Sequence, residues 1–306
     1  MGDHLDRFMP CLHDGTPSFA KFFDEPEGSS IPQGQKVVDA HVHLFPPPVF
    51  EAIWRWFDTH AWPIRYRLYS EQVIEFLLAR GVFSFCALHY SHRPGMARLL
   101  NRYVSEIARA HSQVIPLATV LPGEPDAVDV LREAFDTLGA RGVKLHCHVQ
   151  QMAADDARLD EIYAYCEAVE RPILIHAGRE PSFSAYGVDC RALLASTQIA
   201  RVLERHPKLK LVVAHLGADE FVEYEALLDD YDNLWLDTTM TLGEYFQVTP
   251  QATLFPGRAS RLLYGSDFPN LPYAWDRELT RAVAAPMSEP ERRALLSENA
   301  LRLFGA

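Results

Sequence analysis

The chain has 306 residues, of which 48% are hydrophobic and 23% charged, and its formal net charge at pH 7 is −12. This composition is typical of a globular protein with a sizeable core, and the acidic balance argues against nucleic acid as a main partner because no basic run can neutralise phosphates. No apolar run approaches the ~20 residues that a membrane span needs, and the first residues lack a secretory signal pattern. The five cysteines are scattered and form no CxxC pair, which favours reduced thiols and a cytoplasmic location.

The first 35 residues are rich in glycine, proline and serine and hold aromatic clusters. We interpret residues 1–35 as an N-terminal extension that packs on the body of the protein or on a neighbouring subunit, which leaves a homodimer open. Residues 36–306 are predicted to form a single domain.

From residue 36 onward, short apolar runs alternate with amphipathic segments. The apolar runs predict eight buried strands, at 36–43, 82–88, 114–120, 142–148, 172–178, 210–217, 233–239 and 261–268. Helical patterns lie between them, at 71–81, 98–111, 126–142, 159–171 and 189–206, the last of which stops where Pro207 prevents continuation. Units of roughly 30 residues with this alternation predict an α/β fold, a (β/α)8 TIM barrel. A doubly wound open sheet is the alternative, but no GxGxxG motif follows the first strand.

An aromatic-rich insert, residues 45–70, follows the first predicted strand. It is too long for a plain connection between a strand and a helix, and we predict that it roofs the pocket of the barrel. Trp54, Trp56 and, further along the chain, Tyr186 are candidates for the pocket wall. The alternative for the two tryptophans is that they serve the packing of the insert itself.

Polar side chains mark the carboxyl ends of five predicted strands. These residues are His41 and His43 on the first strand, His146 on the fourth, His176 on the fifth, His215 on the sixth and Asp267 on the eighth. Barrel enzymes keep their active sites at this end, and two residues that are two apart on a strand point to the same face. Imidazole and carboxylate groups together are donors that zinc and similar cations prefer. The sequence therefore predicts a metal centre at this end of the barrel.

Other histidines are interpreted as structural. His111 and His206 lie at helix ends that precede strands, so we expect them at the opposite end of the barrel, where a histidine suits a helix C-terminus. His92 is assigned to a surface loop, and His89, which closes the second strand, is the candidate exception.

Five segments resemble, in order, the signature segments of the amidohydrolase superfamily. They are VVDAHVHLF (37–45), PILIHAG (172–178), LVVAHLGA (211–218), LLYGSDFP (262–269) and SENALRLFG (297–305). The most similar branch is the amidohydrolase-related group that includes aminocarboxymuconate-semialdehyde decarboxylase. The resemblance runs from Val37 to Gly305 and is specific for the superfamily, but it is weakly specific for the reaction.

The resemblance implies a role for each residue of the site. His41 and His43 would ligate a divalent metal with His176 as third ligand, and Asp267 would be both ligand and proton handler. His215 would act beside the metal as general acid/base or charge stabiliser. Such a metal lowers the pKa of bound water towards ~7, and a nearby carboxylate or imidazole can collect the proton. Zn²⁺ is the expected metal, with Mn²⁺ or Fe²⁺ as alternatives, and Asn299 is interpreted as a structural tie.

Several roles stay open at the sequence level. Lys144 is either a carboxylated lysine that bridges two metals, as in two-metal members of the superfamily, or an ion-paired lysine of the barrel. His146 is predicted to contact substrate or a second metal, and His148, expected in the following loop, could point either way. Arg179, just past the fifth strand, either binds a substrate carboxylate in a bidentate pair or forms a surface ion pair.

We therefore expect a metal-dependent enzyme that acts on a small organic molecule bearing a carboxylate. The first interpretation is hydrolysis of an amide, lactone or ester by a metal-activated water. Non-oxidative decarboxylation is the second, because the same ligand set serves both reactions in this branch. A metal-binding protein without catalysis is the third, and His215 argues against it since a closed structural zinc site needs no additional acid/base group.

Overall fold

The computed structural model describes residues 22–178, 186–187, 189, 193–243 and 254–305. In this part of the chain the strands are β1 (Val38–His43), β2 (Ser84–Leu88), β3 (Val114–Pro116), β4 (Ala118–Thr119), β5 (Val143–His146), β6 (Ile173–His176), β7 (Leu211–Val213), β8 (Leu234–Asp237) and β9 (Leu262–Leu263). The α-helices are α1 (Pro47–His60), α2 (Ser70–Ala79), α3 (Met96–Ala110), α4 (Ala127–Asp136), α5 (Cys147–Gln150), α6 (Asp160–Ala168), α7 (Ser196–Arg205), α8 (Phe221–Asp230), α9 (Arg277–Ala284), α10 (Glu289–Arg293) and α11 (Asn299–Phe304).

The strands are arranged as a parallel barrel whose hydrogen-bond ladder is interrupted at two places. The described strands form two sheets, with the orders β1-β2-β3 and β4-β5-β6-β7-β8-β9. Leu117 alone separates β3 from β4. The interruption occurs here because Pro116 has no N–H with which to continue the hydrogen-bond ladder. At the other junction, the Ala40 N–H donates to the Tyr264 carbonyl (2.9 Å) and the His43 N–H to the Phe268 carbonyl (2.8 Å). The predicted (β/α)8 barrel is confirmed, with β3 and β4 as its third strand and β5 to β9 as its fourth to eighth.

The strands read as nearly continuous apolar runs because both of their faces are covered. Every residue of β1, β2 and β5 to β9 is buried. A buried parallel sheet needs apolar side chains on both faces, which is why uninterrupted apolar runs located these strands.

Several predicted elements end earlier than the sequence indicated. The fourth strand was predicted to reach residue 148 and the sixth residue 217, but β5 ends at His146 and β7 at Val213. His148 therefore lies in the short helix α5, and His215 lies in a tight turn, Ala214–Gly217. The helix predicted to extend to residue 142 stops at Asp136, because the chain turns through Gly139 with φ +76°.

The described part of the N-terminal extension packs on the barrel. Glu25 pairs with Arg277 (2.5 Å), whose guanidinium lies 4.0 Å from the centre of the Phe22 ring. The Trp275 indole N–H donates to the Gly28 carbonyl (2.8 Å). Residues 1–21 lie outside the described residues, and the proposed boundary at residue 35 stays a prediction.

Two smaller expectations concern Asn299 and the cysteines. The Asn299 amide donates to the carbonyls of Ala259 (2.7 Å) and Leu262 (2.6 Å), so the structural tie predicted for this residue is confirmed. The described cysteines, Cys86, Cys147 and Cys166, are buried.

Among the described helices, none combines the length and the apolar character that crossing a membrane requires.

Candidate active site and metal centre

A cavity of about 570 Å³ lies at the carboxyl ends of the strands. Its lining includes imidazole and carboxylate groups, namely His43, His146, His148, His176, His215 and Asp267. Helix α1 of the aromatic insert supplies Trp56 and Phe57 to the wall, so the predicted roofing role of the insert is confirmed. The Trp56 and Tyr186 rings lie 5.2 Å apart in this wall, whereas Trp54 is not among the lining residues and instead stacks on Phe50 (5.8 Å).

A first ligand group consists of His41, His43 and Asp267, whose donor atoms all lie within 4.8 Å of one another. Asp267 Oδ1 is 3.0 Å from His43 Nε2 and 3.4 Å from His41 Nε2. The backbone brings these residues together, because the Asp267 N–H donates to the His41 carbonyl (2.9 Å). Three of the four predicted metal ligands therefore form one group.

Gly265 makes the close approach of the Asp267 segment to β1 feasible. A Cβ atom at this position would lie 2.2 Å from Thr239 Oγ1 and 2.9 Å from His41 Cβ, closer than real side chains permit. Any larger residue would push Asp267 away from the histidines. The glycine of the YGSD segment is thus required by packing.

Asp237, at the end of β8, orients His41. The His41 Nδ1–H donates to Asp237 Oδ2 (2.9 Å), and Asp237 Oδ1 accepts the backbone N–H groups of His215 (3.0 Å) and Thr239 (3.2 Å). A carboxylate accepts only, so the lone pair of His41 is on Nε2, the atom nearest Asp267. Burial alone would raise the pKa of Asp237, but His41 and the backbone donors outweigh it and hold the pKa below its usual range. Sequence reasoning missed this residue, whose only signal was a carboxylate ending the seventh barrel strand.

Lys144 reaches the first ligand group from β5. Its side chain is completely buried, and Nζ lies 3.2 Å from His41 Nε2. Burial and the positive charge of Lys144 lower the pKa of His41 to about 3, so the imidazole is neutral at pH 7. Whether Lys144 is a carboxylated bridge or a barrel lysine stays a prediction.

A second ligand group consists of His146, His148 and His176, with donor atoms again within 4.8 Å of one another. His146 and His176 are direct partners of the β5–β6 pairing, and their rings stack 4.0 Å apart. His148, from α5, meets the His176 ring edge-on at 4.7 Å. The structure therefore places His176, the predicted third ligand, with His146 and His148 rather than in the first group, and its role stays a prediction.

His215 lies between the two groups. Its ring centre is 5.4 Å from that of His41 and 4.5 Å from that of His176. Nδ1 lies 2.9 Å from the Thr239 carbonyl, which can only accept, so this nitrogen carries the proton. In the tautomer with its proton on Nδ1, His215 accepts at Nε2 from His176 Nδ1–H (3.1 Å), which leaves the lone pair of His176 on Nε2.

The two residues predicted as catalytic, His215 and Asp267, have left-handed backbone conformations, with φ +58° and +76°. Residues other than glycine rarely adopt this region, and each instance costs of order 1–3 kcal/mol. Such strain is concentrated at functional sites because only the surrounding structure can enforce it.

The protonation states of the site suit a divalent cation. Burial, followed by neighbouring imidazoles, lowers the pKa of His148 to about 3 and those of His146 and His176 well below the ordinary value. Burial would raise the pKa of Asp267, but the hydrogen bond from His43 and the nearby imidazoles of His43 and His41 bring it to about 2. Neutral imidazoles and an ionised carboxylate are the forms that bind metals.

The hydrogen bonding of the histidine rings also suits a bound divalent cation. His43 Nδ1, His146 Nδ1 and both ring nitrogens of His148 are buried without a hydrogen-bond partner among the described residues. Buried polar atoms are normally satisfied, so unpartnered nitrogens clustered at one place call for a ligand. The residues of the site therefore fit a divalent cation.

Arg179 lies outside the described residues, so its contact with a substrate stays a prediction. His92, assigned to a surface loop, lines the cavity and was missed as a candidate. His89 is buried, and its Nε2 lies 2.9 Å from Asn101 Oδ1, which is a structural contact.

His111 and His206 lie at the C-terminal ends of α3 and α7. Neither is among the residues that line the cavity, so their predicted separation from the site is confirmed.

Comparison with solved structures supports the fold. A TIM-barrel protein, Bb4693 from Bordetella bronchiseptica, is 21% identical with a TM-score of 0.68, covering 88% of this chain and 98% of its own. The 2,6-dihydroxybenzoate decarboxylase from Rhizobium is 16% identical with a TM-score of 0.63, with coverage of 88% and 98%. The 5-carboxyvanillate decarboxylase from Novosphingobium aromaticivorans, complexed with manganese and 4-hydroxy-3-methoxy-5-nitrobenzoic acid, is 14% identical with a TM-score of 0.65, covering 92% of this chain and all of its own.

Comparison with curated proteins yields no match. A family model described as "Amidohydrolase" matches residues 38–306, which include all the residues of both ligand groups. The chain belongs to the amidohydrolase family.

Proposed function

We propose that this protein is a metal-dependent, non-oxidative decarboxylase of a small aromatic carboxylate. The observation that carries the proposal is one cavity that combines aromatic walls with buried imidazole and carboxylate groups. The likeness to solved decarboxylases of dihydroxybenzoate and carboxyvanillate supports this reaction over hydrolysis, which the sequence placed first.

The first ligand group, His41, His43 and Asp267, would hold the cation. When bound, a divalent cation supplies a Lewis acid that orients and polarises the oxygen atoms of a substrate. The donor set suits Zn²⁺, as expected from the sequence, and the Novosphingobium structure contains manganese. Asp237 would keep the His41 ring in the orientation and tautomer that present Nε2 to the site.

The aromatic walls would bind the ring of the substrate. Trp56, Phe57 and Tyr186 border the cavity from one side, and a volume of about 570 Å³ is ordinary for a small-molecule site. Stacking against these rings would hold an aromatic acid with its carboxylate directed at the histidines. The apolar lid would also exclude water, which strengthens electrostatic interactions inside the cavity.

The reaction needs one proton for each carbon dioxide released. When the bond between the ring and the carboxylate breaks, its electron pair stays on the ring carbon, which must then be protonated. Asp267 and His215 line the cavity and are the groups that would pass this proton on: a carboxylate oxygen of Asp267 or Nε2 of His215 would first take it up from water and then transfer it to the ring carbon.

Hydrolysis is the second candidate, and one observation favours it. Asp267 is held ionised by His43 and His41, with a pKa of about 2, and an ionised carboxylate suits a group that accepts a proton from water. Amide, lactone and ester substrates therefore belong in the test.

Product identification decides between the two reactions. The protein, loaded with Zn²⁺ or Mn²⁺, would be incubated with aromatic carboxylates, including 2,6-dihydroxybenzoate, and with an amide, a lactone and an ester of similar size. We expect carbon dioxide and the decarboxylated ring from an aromatic acid, and no turnover by the His41→Ala variant. Hydrolysis products without carbon dioxide would refute decarboxylation.

A further inference from the structure

The connection between β2 and α3 brings a positive charge to the cavity. Among the described residues that line the cavity, Arg93 is the one lysine or arginine and Asp267 the one carboxylate. Burial, followed by the positive charge of Arg93, lowers the pKa of the adjacent His92, which also lines the cavity, so this imidazole is neutral at pH 7. The guanidinium is therefore the positive charge that this connection presents to a ligand.

The guanidinium of Arg93 is not engaged elsewhere in the described part of the chain. Other arginines pair with carboxylates, as Arg65 does with Glu27 (3.5 Å). Arg93 forms no ion pair with a described residue, and it is the backbone carbonyl of Arg93 that accepts hydrogen bonds. Asp267 is bonded to His43 (3.0 Å), so the carboxylate of the cavity leaves the guanidinium unneutralised.

Hydrogen bonds fix the backbone that carries Arg93. The Ser91 N–H donates to Thr119 Oγ1 (3.2 Å), and the Ser91 hydroxyl donates to the Arg93 carbonyl (3.2 Å). The Gln150 amide donates to the Ser91 carbonyl (2.9 Å), while its oxygen accepts the backbone N–H of His146 (3.0 Å). The backbone of Arg93 is thus held relative to the end of β5. The residue itself is exposed, which puts the guanidinium at the mouth of the cavity.

Tyr90 shows where this connection lies relative to the histidines. Its ring centre is 5.8 Å from that of His43 and 4.9 Å from that of His146. Three residues of chain span at most ~11 Å, so Arg93 follows within a short distance. One ordered segment therefore borders the histidines and carries the guanidinium, and a ring bound in the cavity can meet both.

We propose that Arg93 binds a second anionic group of the substrate, remote from the carboxylate that is directed at the histidines. The substrate would then be an aromatic acid with two ionised groups, as in an aromatic dicarboxylate. A guanidinium suits this role because its planar fork forms bidentate hydrogen bonds with a carboxylate. The aromatic acid itself rests on the proposed function.

The charges of the cavity agree with a substrate that carries two negative charges. A divalent cation held by the single carboxylate of Asp267 would leave one positive charge, which one substrate carboxylate neutralises. The guanidinium of Arg93 adds a second positive charge, for which the described lining residues supply no partner. A monocarboxylate would leave this charge unpaired.

The test compares the binding of matched acids and needs no turnover. Benzoate has one carboxylate, and isophthalate and terephthalate have two at different separations. Isothermal titration calorimetry on protein loaded with Zn²⁺ or Mn²⁺ gives each dissociation constant. Wild-type protein should bind at least one dicarboxylate ~10-fold more tightly than benzoate, the effect of one hydrogen-bonded charge pair.

Variants assign this preference to Arg93. Arg93→Gln should raise the dissociation constant of the preferred dicarboxylate by ~10-fold and leave that of benzoate unchanged. Arg93→Lys, which keeps the charge but not the bidentate fork, should lie between the two. Arg55→Gln is the matched control, because Arg55 is an exposed arginine of α1 that is not among the lining residues, and it should keep the preference. Circular dichroism would verify that each variant is folded.

Several outcomes would overturn the role of Arg93. These are equal affinities of wild-type protein for all three acids, a preference that persists in Arg93→Gln, and an equal loss of affinity for benzoate and the dicarboxylate in that variant. Loss of the preference in Arg55→Gln as well would indicate long-range attraction instead of a contact, and would also overturn it.

The same experiment separates this role from the proposed function. A preference that depends on Arg93, without release of carbon dioxide from any aromatic acid, would support the role of Arg93 and refute decarboxylation. Release of carbon dioxide from monocarboxylates, with no effect of Arg93→Gln on binding, would do the reverse. Failure of wild-type protein to bind any of the acids would overturn both.

Discussion

At the scale of single residues, the site depends on side chains that fix one another. Asp237 sets the tautomer of His41, and the Thr239 carbonyl sets that of His215, which in turn sets that of His176. Each imidazole therefore presents one defined nitrogen. Ligands oriented in this way bind cations more tightly than freely rotating ones, because less has to be ordered on binding.

Replacing Asp237 by Asn should weaken cation binding without unfolding the barrel. The amide keeps the shape but removes the ionised acceptor of the His41 Nδ1–H. Loss of such a supporting contact typically reduces metal affinity by ~10–100-fold. The dissociation constant of Zn²⁺, measured by competition with a chelating dye, should rise by this factor in Asp237→Asn and stay unchanged in Asp229→Asn, at an exposed position on α8. Equal affinities in both variants would show that Asp237 does not support His41.

Replacing His215 by Asn should separate catalysis from cation binding. His215 belongs to neither ligand group, so the variant should keep the cation content of wild-type protein. General acid–base assistance is worth ~10²–10⁴ in rate, so turnover should fall by at least ~10². Elemental analysis and kinetics on the same preparation provide the measurement. Loss of a whole equivalent of metal would make His215 a ligand, and unchanged turnover would remove it from the mechanism.

At the scale of elements, short connections rather than long helices position the chemistry. The turn after β7 carries His215, α5 carries His148, and the segment after β9 carries Asp267. The N-terminus of α9 supports another connection near the cavity, because the buried Glu278 accepts the N–H groups of Leu242 (2.9 Å) and Gly243 (2.7 Å).

Glu278 should make the protein less stable as pH rises through neutrality. Burial raises the pKa of Glu278 from 4.5 to about 8, against the opposing effect of the two backbone N–H donors. Between these values the folded state keeps a proton that the unfolded state has lost, so the free energy of unfolding falls with pH by up to ~1.4 kcal/mol per unit.

Glu278→Gln, which cannot titrate, isolates this contribution. We expect the free energy of unfolding of Glu278→Gln, measured by urea denaturation, to exceed that of wild-type protein by an amount that increases from pH 5 to pH 8. A difference that does not change with pH would show that Glu278 titrates normally in the folded state.

At the scale of the whole molecule, the barrel and its functional end were accessible from sequence because both follow from local patterns. Apolar runs located the strands, and polar residues at their carboxyl ends, such as His41 and Asp267, located the site. The division into two ligand groups was not accessible. It depends on the β5–β6 register that pairs His146 with His176, and on the end of β5 at His146, which lets α5 turn His148 back over them. Asp237 was missed because, unlike Asp267, it lies in none of the five segments that carry the family resemblance.

The central claim is that a divalent cation in this cavity enables release of carbon dioxide from an aromatic acid. The most direct test uses the aromatic acid with the highest turnover, labelled with ¹³C in its carboxyl group. Its consumption and the release of labelled carbon dioxide are measured with cation-stripped protein, and again after Mn²⁺ or Zn²⁺ is restored to the same protein. The account predicts one labelled carbon dioxide for each substrate consumed, only when the cation is present. Equal turnover by the stripped protein, consumption of substrate without labelled carbon dioxide, or no turnover of any aromatic acid would contradict it.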